Sequence, residues 1–284
     1  MIDLHIHSTH SDGTKTPSDL LYLAKQKNIN ILAITDHDDI EGSKKLLSLP
    51  HNNIIIYSGV ELNAKVDKGQ MHILGYNIDL YNQELNNKLK ELKENSKHNI
   101  MLYVRQLKDD YNIELPKEDI DNILNREGNI GRPLLALLLI KYGYVKSVAE
   151  AFDKYLGDEK VRKHKMWITK EECIKLIINA GGIPVLAHPF TLKLSNEDLK
   201  KELKYLVTLG LKGIEIIHSK STEAERNYYK ELAKELNLIT TGGTDYHGPE
   251  VKPNIELGTG IEGNVNLTEK DITFIDQVTT RYWV

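Results

Sequence analysis

Over residues 1–80, short apolar runs alternate with patterns of helical period. Residues 1–7 read as a strand. Thr16-Pro17-Ser18-Asp19 then reads as a helix start, with Thr16 as N-cap and Pro17 at the first helical position. Leu20, Leu21, Leu23 and Ala24 supply the apolar face of that helix. A strand over 31–35, a short helix over 41–47 and strands over 54–60 and 71–76 follow. Strand, helix, strand at this spacing predicts parallel βα units.

Residues 82–165 break the alternation. A long charged helix is predicted over 83–110, with Leu85, Leu89, Leu92, Ile100 and Val104 as a narrow apolar stripe, and shorter helices over 117–125, 133–141 and 148–155. No strand pattern occurs here, so a helical insertion or lid is expected. From 169 the alternation returns. A helix over 169–180 is opened by a capping box of Thr169 and Glu172, strands are predicted over 183–187, 213–217 and 239–241, and helices over 196–209 and 223–236. About seven βα units on a parallel sheet predict an α/β barrel with its active site at the C-terminal strand ends. The expected division is a barrel of residues 1–81 and 166–284, with the insertion over 82–165.

Composition adds little to this picture but removes several alternatives. At 40% hydrophobic and 27% charged, the 284-residue chain has the balance of a globular protein with a sizeable core. No apolar run is long enough to span a bilayer, the N-terminus starts as a strand rather than a signal peptide, and Cys173 is the only cysteine. A cytoplasmic protein with no membrane association and no obligate protein partner is expected. The net charge of −4 argues against a broadly basic nucleic-acid surface, leaving only local patches such as Val161-Arg162-Lys163-His164-Lys165.

The eleven histidines change the picture more. His5 and His7 end the first predicted strand, two residues apart, so their side chains leave the same face. His37 follows the second strand, Glu61 closes the third, and His72 lies on the next. His188 and His218 end later strands, and Asp245 and His247 follow the last, again two apart. Bunched imidazoles joined by Asp12, Glu61 and Asp245 would repel on protonation unless a cation organised them, which points to metal binding. His51, His98 and His164 lie in polar stretches and are expected to be solvated. His10 shares the first loop with Asp12 and is a candidate substrate contact.

These segments resemble the PHP (polymerase and histidinol phosphatase) family, and within it the stand-alone phosphoesterases that act on nucleotides. The resemblance rests on Asp3-Leu4-His5-Ile6-His7 with Ser11-Asp12-Gly13, Thr35-Asp36-His37-Asp38, Gly59-Val60-Glu61, Met71-His72-Ile73-Leu74-Gly75-Tyr76, Ala187-His188-Pro189 and Thr244-Asp245-Tyr246-His247. Gly131-Arg132-Pro133 and Ala151-Phe152-Asp153-Lys154-Tyr155-Leu156-Gly157 are similar to segments of the nucleotide-acting subgroup.

The resemblance implies a distorted seven-stranded β/α barrel of PHP type and three divalent metal ions. His5, His7, Glu61 and Asp245 would hold the first ion. Glu61 would share a second with His72 and His188, and Asp12, His37 and His247 would hold the third. Asp12, His37, Glu61, Asp245 and His247 are the expected catalytic groups. Arg132 is expected to clamp a second phosphate and His218 to stand behind the metals or face substrate, with Asp36, Asp38 and Tyr246 as supporting groups. Three divalent ions against three carboxylates leave a formal charge of about +3, which favours a dianionic phosphate. Imidazole with carboxylate suits manganese, iron or zinc. The leading expectation is phosphate removal from a 3′,5′-nucleoside bisphosphate. The alternatives are 5′→3′ hydrolysis of short RNA, histidinol phosphate hydrolysis, and a non-catalytic metal-bound regulatory module.

Overall fold

The structure is a computed structural model and describes residues 1–51, 53–157 and 160–273. Residues 274–284, at the end of the second expected barrel segment, lie outside the described residues, as do 158 and 159 of the expected insertion. Strand β1 (Ile2–Ile6), helix α1 (Pro17–Gln26), β2 (Ile31–Ile34), α2 (Glu41–Ser48) and β3 (Ile55–Ile56) form the first part, a parallel three-stranded sheet in that strand order. Thr16 caps α1 through a full box with Asp19.

The second sheet runs β4 (Gly59–Ala64), β5 (Met71–Tyr76), β6 (Ile183–Leu186), β7 (Gly213–His218), β8 (Ile239–Gly243). Helix α7 (Lys170–Asn179) leads into β6, α8 (Asn196–Thr208) links β6 to β7, and α9 (Glu223–Glu235) links β7 to β8. The sheets join at two bridges, Ile6 with Tyr246 and His37 with Glu61, which close the barrel. At the first seam Gly243 passes so near β1 that a Cβ there would lie 2.4 Å from the His5 Cβ, so only glycine lets the strands meet.

Two expectations need correction. The strand expected over 54–60 is two strands. A Cβ on Gly59 would lie 2.6 Å from the Ile34 carbonyl oxygen, and this close passage is where the chain leaves one sheet for the other. Glu61 therefore sits inside β4 rather than at a strand end. The sheet is also not parallel throughout, because β4–β5 and β5–β6 are antiparallel pairs. Residues 65–70 are too short for a crossover, which takes a dozen residues or more, so they make a hairpin. Reversing β5 puts its first residues, including His72, at the same barrel end as the C-terminal ends of its neighbours.

Between β5 and α7 lie α3 (Gln83–Tyr111), α4 (Lys117–Leu124), α5 (Arg132–Lys141) and α6 (Val148–Lys154). Leu85, Leu89 and Leu92 on the first half of α3 pack into the barrel core, whereas Ile100, Tyr103 and Leu107 join a separate apolar cluster with Ile120, Leu135, Leu139 and Ala151. One long helix thus serves two cores. No helix among the described residues is long and apolar enough to cross a membrane.

Candidate metal centre

Strand alternation turns Asp3, His5 and His7 into the barrel, with all three side chains fully buried. His5 Nε2 and His7 Nε2 each lie 3.2 Å from Glu61 Oε2, and His7 Nε2 is 3.3 Å and His5 Nε2 3.7 Å from Asp245 Oδ1. Tetrahedral donors around an ion the size of zinc are spaced about 3.4 Å apart, close to these spacings; His5, His7 and Asp245 form one set able to hold an ion, and Glu61 falls in two others, with His5 and His188 and with His37 and His72. The other Glu61 oxygen, Oε1, lies 2.9 Å from both His72 Nδ1 and His188 Nε2. A third group forms around Asp12, with His247 Nε2 at 3.2 Å, His37 Nε2 at 3.9 Å and His7 Nδ1 at 3.9 Å. His37 also turns Nδ1 to Glu61 Oε2 at 3.1 Å, so it stands between groups. All nine candidate ligands expected from the sequence converge here, in four overlapping sets able to hold an ion.

The hydrogen bonds around these groups aim them. His247 Nδ1 donates to the Asp245 carbonyl at 2.9 Å and His188 Nδ1 lies 3.0 Å from Thr191 Oγ1, so each ring turns its Nε2 toward the carboxylates of the centre. His218 behaves differently. Its Nδ1 accepts the Lys220 N–H at 3.0 Å, so its proton is on Nε2, which donates to Asp245 Oδ2 at 3.2 Å. Lys252 pairs with the same oxygen, and Asp245 is left with Oδ1 for the centre. His188 and Asp245 hold positive φ angles, +24° and +57°, a conformation uncommon for non-glycine residues.

Electrostatics follow the geometry. Burial alone would raise the carboxyls of Glu61, Asp12 and Asp245, but surrounding histidines, and Lys252 beside Asp245, hold all three well below the usual range. For imidazoles burial works downward. It carries His37 down to about 3, whereas at His7 the carboxylates of Asp245 and Glu61 outweigh it and pull the group up to about 9. His5 Nε2, His7 Nε2, Asp12 Oδ1, His37 Nδ1 and Glu61 Oε2 are buried without a hydrogen-bond partner. Buried polar atoms left this way are costly unless something binds them, and divalent cations fit this donor set.

The supporting groups also have places. Asp36 accepts from the Ser8 N–H at 2.7 Å and from the Ser8 and Ser11 hydroxyls at 2.6 Å each, bracing the loop that carries Asp12. Asp38 accepts twice from Asn63, and burial pushes its carboxyl up to about 6. Tyr246 packs into the apolar cluster under β1 and β2, and its carbonyl accepts the His7 N–H at 2.8 Å. His98 and His164 are exposed, and His51 is half-buried on the Ile54 carbonyl.

Against the cluster lies a cavity of about 620 Å³, lined also by Tyr103, Asn129, Arg132, Phe152 and Trp167. Arg132 Nη1 donates to the Leu156 carbonyl at 3.0 Å while its guanidinium faces the rings of Phe152 and Tyr103, at 4.9 and 5.5 Å from their centroids. His218 also lines the cavity, but His10, expected as a substrate contact, does not. Its loop is covered by the helical segment, and its carbonyl accepts the Asn129 N–H at 2.7 Å. Sequence reasoning missed Glu215, Thr191, Asn129 and Lys252. Only Glu215 carried a signal, as an acid inside the otherwise apolar run Ile214-Glu215-Ile216-Ile217.

A family model described as PHP domain matches residues 3–236. The chain is 30% identical over 279 residues to the 5′-3′ exoribonuclease Rnm of Escherichia coli, covering 94% of each protein. It is 27% identical over 254 residues to a 3′,5′-nucleoside bisphosphate phosphatase of Chromobacterium violaceum, covering 87% of each. A solved structure described as a metal-dependent phosphoesterase from Bifidobacterium adolescentis superposes with a TM-score of 0.80 at 25% identity, over 92% of this chain and 91% of that one.

Proposed function

We propose, from the premise that the chain belongs to the PHP domain family and is a metal-dependent phosphoester hydrolase, that it removes one phosphate from a 3′,5′-nucleoside bisphosphate. The observation that carries this reading is the cavity of about 620 Å³ between the histidine cluster and Arg132. Its size suits one small ligand, and a lining that combines a cation-binding cluster with the Arg132 guanidinium suits a ligand with two anionic groups.

His5, His7, Glu61 and Asp245 would hold one divalent ion, Glu61, His72 and His188 a second, and Asp12, His37 and His247 a third, drawn from manganese, iron and zinc. When bound, such ions supply Lewis acidity and a water of lowered pKa. The chain's own groups then orient and enclose. Residues 82–165 serve as a lid that excludes water, and Arg132, held in plane by Leu156 and Phe152, meets the phosphate that is not removed. Lys252 and His218 keep Asp245 turned inward.

A second reading, 5′→3′ hydrolysis of short RNA by the same site, is favoured by the exoribonuclease relative at 30% identity. Phosphate or nucleotide release with manganese, from a 3′,5′-bisphosphate, a 5′-phosphorylated trinucleotide and histidinol phosphate, separates these. Fastest turnover of the bisphosphate is expected. Turnover of the trinucleotide alone would replace the first reading with the second.

A further inference from the structure

Glu215 is buried to 1% exposure inside the barrel, on β7. The pairing of β7 with β8 is irregular between Glu215 and Ile217, and beyond it both Glu215 and His218 reach the interior although they are an odd number of residues apart. The carboxylate serves two distant segments at once. Oε1 lies 2.9 Å from His5 Nδ1, and Oε2 accepts the His188 backbone N–H at 2.7 Å.

We propose that Glu215 is a positioning residue that presets two ligand-bearing segments for metal, fixing the ring and tautomer of His5 and pinning the backbone of His188. The inference rests on the reading of His5 and His188 as ligands. An ionised carboxylate only accepts hydrogen bonds, so Glu215 keeps a proton on His5 Nδ1, and Nε2, 3.2 Å from Glu61 Oε2, is the nitrogen left to bind an ion. At His188 the φ of +24° precedes Pro189, a junction that restricts the backbone further, and the short bond from its N–H holds it there.

The amide of Glu215→Gln matches the carboxylate in shape but has one acceptor and one donor end. Whichever way it turns, it fails one partner. It either loses the His188 N–H or donates to His5 Nδ1 and forces the proton onto Nε2, where it blocks a metal bond. The Glu215→Gln protein should therefore bind zinc about 10–100-fold more weakly at the sites that use His5 and His188, measured by chelator competition. The His247 and Asp12 site, read by cobalt(II) absorption in Glu215→Gln against His247→Ala, should be unchanged.

Equal weakening of every site would mark a general structural role and overturn the proposal, as would unchanged affinity throughout. If Glu215→Gln fails to fold, the wild-type chain still decides. Histidine ¹⁵N shifts of the zinc-loaded protein should show His5 protonated at Nδ1 and bound through Nε2, and the reverse assignment overturns the proposal. A wild-type chain that takes up no divalent ion overturns the metal reading itself, a different result from unchanged affinity in the variant.

Discussion

The carbonyl of His37 accepts a hydrogen bond from Asn129 Nδ2 at 2.9 Å, so a candidate ligand at a strand end is tied directly to the helical segment above it. Asn129 is 4% exposed, lines the cavity, and its Oδ1 has no partner. Asn129→Ala removes the tie and the unpartnered Oδ1 that lines the cavity. A loss of about tenfold in kcat/KM is expected, in line with about 1–2 kcal/mol for a buried hydrogen-bonded group. Steady-state kinetics with unchanged values would show that the tie is irrelevant to turnover.

Proton release should accompany metal uptake. In the metal-free protein the Asp245 and Glu61 carboxylates outweigh burial and hold His7 at about 9, and Glu215 and Glu61 raise His5 as well. His7 is therefore the group whose proton an ion must displace near neutral pH. The sign follows. A raised histidine stabilises the metal-free fold fully below its unfolded value near 6.5, and that contribution is lost as pH rises through about 9. Metal affinity moves the other way over the same window. The gap in melting temperature between loaded and metal-free protein should widen from pH 6.5 to 9, and a gap that narrows would contradict the assignment of His7.

The third group around Asp12 is tested separately. Asp12→Ala and His37→Ala should each cut turnover by at least about 10³-fold while circular dichroism shows a folded chain, because several kcal/mol of charge stabilisation disappears with the ion they hold. Full activity in either variant removes that group from the mechanism.

Arg132→Ala should separate substrates with two anionic groups from those with one. KM for the 3′,5′-bisphosphate is expected to rise about 10–100-fold, the range for a charge-assisted hydrogen bond. A simple aryl phosphate should change far less. Equal changes for both would mean that the arginine braces the helices through Leu156 and Phe152 and does not meet substrate.

The candidate ligands were legible because they follow strand ends at short spacings; alternation puts His5 and His7 on one face, whereas Asp245 and His247 lie past the end of β8, where Asp245 has a φ of +57°. The groups that aim them were not. Glu215 meets His5 across 210 positions, and Lys252 meets Asp245 from a loop whose geometry no periodicity encodes. The β4–β5 hairpin was legible in principle, since residues 65–70 cannot hold a crossover helix, but apolar runs do not reveal direction. His10 shares a loop with Asp12 without lining the cavity beside it. Asp12 turns to His247, while the His10 loop is covered by Gly128 and Asn129.

Glu61 is the point on which the whole arrangement converges, since its two oxygens face His5, His7, His37, His72 and His188. Elemental analysis of the chelated and manganese-reloaded protein, wild type against Glu61→Gln, therefore tests the account most directly. The wild type should hold about three ions per chain and regain phosphatase activity on reloading, and a folded Glu61→Gln protein should hold at most about one ion and show no activity. Full metal content in the variant, or phosphate ester hydrolysis by a wild-type chain stripped of metal, would contradict it.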